Sequence, residues 1–147
     1  GVKIAEKALL PKAVISFIRT HHGRGKAKYF YNSFKNQYPD KPINDELFTY
    51  PGPNPFSKET AVLMMADSVE AASRSLKEHT EESISALVNK IIDGQLADGF
   101  FRECPITFRD IAYSKTVLIE KLKTIYHTRV SYPELKKAPS ADDKKQS

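Results

Sequence analysis

Ser57-Lys-Glu-Thr-Ala-Val-Leu-Met-Met-Ala-Asp67-Ser-Val-Glu-Ala-Ala-Ser-Arg74-Ser-Leu76 is the stretch on which the fold turns. Val62, Met65, Val69, Ala72 and Leu76 recur at helical spacing and form one apolar stripe, and Leu63, Met64 and Ala71 add apolar surface on the other side. A helix over residues 58–76 that is apolar almost all round belongs in the centre of a bundle, and Ser57 is placed to cap its start. Asp67 lies inside that apolar middle, on the side of Leu63, Met64 and Ala71. A carboxylate buried without a partner costs several kcal/mol, so it needs a cation, a metal or strong donors. Arg74 lies two turns on and on roughly the same face, but helix geometry puts its Cα about 10 Å from that of Asp67.

Outward from this helix the pattern stays helical. Towards the C-terminus, Thr80 opens a helix with Glu81 and Glu82 in its first turn, and Ile84, Leu87, Val88, Ile91, Ile92 and Leu96 keep one core face until Gly99. Residues 100–105 connect to Thr107-Phe-Arg-Asp110, which resembles a capping box, and the last helix sets Phe108, Ile111, Leu118, Leu122 and Ile125 on one side. Towards the N-terminus, residues 39–56 hold five prolines and Gly52, which excludes a long regular element and predicts an ordered flap held by Phe48, Tyr50 and Phe56. Residues 26–38 read as a helix with an aromatic face through Phe30 and Phe34. Residues 2–10 form a short amphipathic helix, and Pro11 starts the next one. The expected fold class is therefore all-α. Residues 1–134 are expected to form one domain and 135–147 a polar tail.

Composition narrows the function classes. With 40% hydrophobic and 28% charged residues, the 147-residue chain is an ordinary globular one with no apolar run near the roughly 18–20 residues of a membrane span. The net charge of +5 comes from dispersed lysines, four of them at 136, 137, 144 and 145. That distribution argues against a nucleic-acid polymer as partner and suits a small anionic ligand. Cys104 is the single cysteine, which excludes an internal disulfide. His79 and His127 sit at helix ends, where capping and dipole roles account for them.

The remaining two histidines are different. In Ile15-Ser-Phe-Ile-Arg-Thr-His21-His22-Gly23, the stripe of Val14, Ile15 and Ile18 ends in two adjacent imidazoles, followed by a glycine suited to a left-handed cap. Either the pair is hydrogen-bonded within the core or it points at a shared cation. With Asp67 it makes three candidate ligands, a donor set that suits iron, manganese or zinc.

His21-His22-Gly23, Lys28-Tyr-Phe-Tyr31, Tyr50-Pro-Gly-Pro53, Met65-Ala-Asp-Ser-Val-Glu-Ala-Ala72 and Arg74-Ser-Leu76, in that order, resemble the C-terminal half of an HD-superfamily phosphohydrolase domain. The nearest subgroup is the bacterial seven-transmembrane HD proteins that hydrolyse cyclic di-AMP, and the match continues to Tyr132-Pro-Glu134. The resemblance implies a partial HD-type helical bundle and a two-metal site, iron or manganese, with His21 and His22 on one ion and Asp67 on the second. A hydroxide activated by the two metals would cleave the cyclic dinucleotide to its linear form. Lys28, Tyr29, Tyr50 and Arg74 fall in matching motifs and are expected to contact the nucleotide.

The departures set limits. No His-Asp dipeptide occurs in the chain, Arg24 stands where the family has Thr, and Thr49 where it has Arg. The family's His-Asp ligands are expected upstream, so this piece alone is expected to be inactive. It would serve a larger protein on the cytoplasmic face of the bacterial inner membrane, with membrane contact only through upstream segments. An apolar face left open by those segments would favour self-association. Two other readings remain: an HD hydrolase of another nucleotide such as a guanosine polyphosphate, or a non-catalytic helical regulatory module.

Overall fold

Six α-helices account for the architecture of the computed structural model, which describes residues 1–127. They are α1 (Val2–Lys7), α2 (Lys12–Thr20), α3 (Lys28–Gln37), α4 (Lys58–Ser73), α5 (Glu81–Ala97) and α6 (Phe108–His127). A 3₁₀ turn, Asp45–Phe48, lies between α3 and α4. The expected tail at 135–147 and the Tyr132-Pro-Glu134 motif lie outside the described residues.

Helix α4 is central because its neighbours surround it: α5 and α6 pack on it and on each other, and α2 lies against it from the N-terminal side. Its Ala61, Met65 and Val69 are at most 1% exposed and meet Ile84, Val88 and Ile92 of α5 and Ile111 and Leu122 of α6. The all-α bundle read from the periodicity is the observed fold. The burial of α4 is less complete than its composition suggests, however, for Val62 and Leu63 are exposed and face away from this core.

The helix ends follow local chemistry. Ser57 caps α4 in a reciprocal box with Thr60, its Oγ accepting from Thr60 N–H and Thr60 Oγ1 accepting from Ser57 N–H. Thr80 caps α5, accepting from Ser83 N–H at 3.1 Å. Gly99, at φ +78, closes α5 in a Schellman turn: Phe100 N–H donates to the Gln95 carbonyl and Gly99 N–H to that of Leu96. Thr107 and Asp110 cap α6 reciprocally, and Asp110 also holds Lys58 at 2.8 Å, tying the start of α6 to the start of α4. At the far end of α4, buried Ser73 Oγ hydrogen-bonds Tyr126, and His79 stacks on that Tyr126 ring with Nε2 on the Ser73 carbonyl. His79 thus has a structural role. Burial raises the pKa of the half-buried Cys104 thiol, which favours the protonated form.

Three sequence expectations are corrected. The first helix stops at Lys7, three residues short, because Leu9 takes a left-handed φ of +53. In α3 the packed face is Tyr31, Phe34 and Tyr38, which meet Phe48 directly or through one another, while Tyr29 and Phe30 turn to solvent. Phe108 is 80% exposed, although its spacing set it on the same side as the buried Ile111 and Leu122.

The Lys58–Asp110 link and the cap hold the Asp110 carboxyl at about 2, below its ordinary 3.8. A carboxylate depressed in the folded state stabilises above its unfolded pKa and loses that effect as pH falls through the folded one. Asp110→Asn should therefore be less stable than the parent at neutral pH, with the gap closing between about pH 4 and 2 in urea denaturation measured across that range.

Candidate functional site

The two histidines stand in the turn that follows α2. His21 keeps helical angles at the C-cap, and Gly23 takes φ +52, so the chain reverses within two residues of the pair. A side chain at 23 would be strained by that left-handed φ, and an added Cβ, 2.8 Å from Asn54 Oδ1 and 3.3 Å from the Phe100 ring, would force Asn54 to shift. That Asn54 oxygen accepts the Arg24 N–H at 2.9 Å. The turn is thereby pinned to the segment that precedes α4.

Residues 39–56 bring the next component. Their 3₁₀ turn starts with Asn44 accepting from Glu46 N–H, and the strand-like end pairs back on the residues after the histidines. Ala27 N–H donates to the Phe48 carbonyl at 2.7 Å and Tyr50 N–H to that of Gly25 at 2.9 Å, around a Lys26–Thr49 bridge. Lys26 also binds Asp45 at 2.7 Å and lies over the Tyr31 ring. This pairing lays Tyr50 flat on His22, with ring centroids 4.3 Å apart, and His22 in turn sits 4.0 Å from the His21 ring. Phe56, expected to help hold the segment, is instead half exposed.

Helix α4 supplies the acid. His22 Nδ1 lies 3.8 Å from Asp67 Oδ2, beyond hydrogen-bond distance but within that of an ion pair. The expectation of a buried Asp67 is overturned: its side chain is 45% exposed, because it occupies the side of α4 that α5 and α6 leave open. It does not pair with Arg74 either. Arg74 grips Glu70 of its own helix with two hydrogen bonds, at 2.9 and 2.6 Å.

The imidazoles are prepared for different tasks. His21 Nδ1 donates to the Ile18 carbonyl at 2.9 Å, a bond that assigns the proton to Nδ1 and leaves the Nε2 lone pair available. His22 has a lowered pKa because of partial burial and the adjacent His21, with Asp67 opposing both. It is therefore neutral at pH 7 and can act as a ligand. Two ligands of one cation at the usual 2.0–2.2 Å bond lengths stand roughly 3.0–4.2 Å apart, a span that includes the 3.8 Å His22–Asp67 gap, whereas the resemblance puts Asp67 on the second of two ions. Among the described residues, no group of three His, Cys, Asp or Glu side chains closes into a metal cage.

A cavity of about 220 Å³ opens over the pair, lined by both histidines, Tyr50, Pro51 and Gly52 from one side and Val2, Ile18 and Arg19 from the other. The structure thus gathers His21, His22, Tyr50 and Asp67. It leaves Lys28 and Tyr29 on the exposed start of α3, away from that lining, and Arg74 engaged elsewhere. Sequence reasoning overlooked Asn54, whose only local signal is its place directly after Pro51-Gly-Pro53, and Arg19, which salt-bridges Glu6 of α1 at the cavity wall.

Comparison with known proteins bears on this site. No family model matches the chain. It is 40% identical over 137 residues to the cyclic-di-AMP phosphodiesterase PgpH of Bacillus subtilis and 38% identical over 134 to that of Listeria monocytogenes, spanning 93% and 91% of this chain. Its structure superposes on the crystal structure of the Listeria PgpH HD domain in complex with cyclic-di-AMP with a TM-score of 0.78 at 37% identity, covering 85% of this chain and 57% of that one. The chain resembles the PgpH HD domain in sequence and in fold. It spans about a fifth of the length of the PgpH relatives, 19% and 18%. Against a second crystal structure of the Listeria monocytogenes PgpH HD domain the TM-score is 0.77. No helix among the described residues is long and apolar enough to cross a membrane.

The lowered His22 pKa has a sign that can be tested. The folded state binds fewer protons at His22 than the unfolded state, so its contribution to stability falls as pH drops through 6.5 towards the folded midpoint. In an NMR titration of the metal-free chain, His22 should titrate below 6.5. Asp67→Asn should move the midpoint lower still, and His21→Ala should raise it.

Proposed function

We propose that the chain forms part of the site of a metal-dependent phosphodiesterase that opens a cyclic dinucleotide, cyclic di-AMP, to its linear form. The observation that supports this reading is the approach of Asp67 to His22, which lies beside His21, in a chain similar to the PgpH HD domain, whose crystal structure is of its complex with cyclic-di-AMP. Because the chain spans a fifth of the PgpH relatives, the activity is assigned to the whole protein and not to these residues alone.

In this reading His21 contributes Nε2, with its tautomer held by the Ile18 carbonyl, and His22 contributes a neutral ring. Asp67 adds the negative charge that offsets a divalent cation. Two divalent ions, iron or manganese, would neutralise phosphoryl charge and lower the pKa of a water. Tyr50 fixes the His22 ring by stacking and presents the adjacent wall of the cavity to a nucleotide. Of the other expected substrate contacts, Lys28 and Tyr29 lie on an exposed helix start from which they would have to reach a bound ligand. Arg74 would first have to leave Glu70.

Elemental analysis and turnover test this together. The purified chain should retain iron or manganese, and a variant with His21, His22 and Asp67 all changed to Ala should not. In a protein carrying this chain at the length of those relatives, His22→Ala or Asp67→Ala should lower cyclic di-AMP hydrolysis by at least ~100-fold, since loss even of outer-shell partners costs 10–100-fold. Selective cleavage of a guanosine polyphosphate, or equal metal content in parent and triple variant, would sink the proposal.

A further inference from the structure

The cavity over the histidines shares a wall with a larger one. Pro51 and Gly52 line both, and the second, about 630 Å³, is completed by Arg24, Pro53, Asn54, Phe56 and Glu103. Its size falls within the range of small-ligand sites.

Three of its side chains carry recognition chemistry. Arg24 is held at its backbone and along its stem: its N–H is bound by Asn54 Oδ1 at 2.9 Å, and the stem lies across Gly52, where an added Cβ would sit 2.7 Å from Arg24 Cγ. Beyond the stem the guanidinium has no ion pair among the described residues, whereas Arg19 and Arg74 are paired with Glu6 and Glu70. An unpaired guanidinium on an anchored stem fits a phosphate, which it can bind with two parallel N–H donors. Phe56 leaves 48% of its surface exposed at the same cavity, although it is the kind of residue that is normally covered. Glu103 also lines the cavity and makes no ion pair among the described residues. Its carboxylate repels a phosphate and accepts from an amino group. These charges orient a ligand with its phosphate at Arg24 and an amine-bearing base towards Glu103.

We propose that this second cavity binds a nucleoside phosphate, the half of a dinucleotide that is not being cleaved, with its phosphate on Arg24 and its base on Phe56. The part about a larger ligand rests on the cyclic-dinucleotide reading above. The nucleoside-phosphate site itself rests on the Arg24, Phe56 and Glu103 geometry. Sharing the Pro51–Gly52 wall, the two cavities can be straddled by one molecule with two nucleotide units, and this arrangement makes Arg24 a determinant of specificity for dinucleotides over mononucleotides at the histidine site.

The probes are adenosine 5′-monophosphate, adenosine and cyclic di-AMP, titrated calorimetrically into the full chain and into Arg24→Ala, Phe56→Ala and His22→Ala. Arg24 and Phe56 are both exposed, so circular dichroism should show the variants folded. Arg24→Ala should weaken the monophosphate at least ~10-fold, as expected for a lost hydrogen-bonded charge, and leave adenosine unchanged. Phe56→Ala should weaken both, and His22→Ala neither. A monophosphate that does not bind, that binds Arg24→Ala as well as the parent, or that is lost through His22→Ala overturns the subsite. Cyclic di-AMP judges the other reading separately. Arg24-dependent binding of the monophosphate without binding of cyclic di-AMP would support the subsite and count against the cyclic dinucleotide, whereas tight cyclic di-AMP binding indifferent to Arg24 would overturn the subsite alone.

Discussion

A single helix, α4, has to satisfy three neighbours at once, and most of the molecule is arranged by how it does so. Met65, Ala61 and Val69 are withdrawn from water between α5 and α6, while α2 takes a further side. Truncating a buried Met typically costs 2–5 kcal/mol, a large part of the stability of a domain this size, so these contacts fix the rotation of α4 about its own axis. Once that rotation is set, the strip that remains open is determined too. Asp67 falls on it, facing His22, because the core has claimed the other sides.

The histidine turn is placed by hydrogen bonds and steric exclusion more than by apolar burial. Gly23, at a left-handed φ, lets Asn54 Oδ1 approach to where a Cβ would crowd it, and Asn54 in turn anchors the Arg24 amide. The same segment pairs with residues 25–27 through backbone bonds and sets Tyr50 on His22. Side-chain and backbone groups some twenty to thirty residues apart are thus joined around the imidazoles with few long side chains to immobilise, which keeps the entropic cost of ordering the site low. The result is a pair of rings with different protonation chemistry: His21 has its tautomer set by a carbonyl, and His22 is kept neutral by burial and by its neighbour.

Much of this was legible in the chain. The helical periodicity over 80–99 and the caps at Ser57, Thr80 and Thr107 are local signals, and each appears in the structure where its pattern puts it. The His-His-Gly turn was equally local, since a glycine after the stripe of Val14, Ile15 and Ile18 predicts the left-handed cap seen at Gly23. The failures came where periodicity was asked to say which side of an apolar helix meets the core. Val62, Leu63 and Phe108 are apolar and exposed, Asp67 is half exposed despite apolar neighbours, and Phe30 is turned away from the aromatic cluster its spacing suggested.

Sequence by itself therefore determined the elements, their caps and the candidate ligands, because helix formation and capping depend on residues within four positions of one another. Only the tertiary structure decided that His22 meets Asp67 across forty-five residues, that Tyr50 and not Tyr29 lies on the imidazole, and that Arg74 is spent on Glu70 while Arg24 is left unpaired among the described residues. Those outcomes depend on how α4 rotates against three helices and on where residues 39–56 pair back. Both follow from the sum of many packing contacts, and no local spacing encodes that sum.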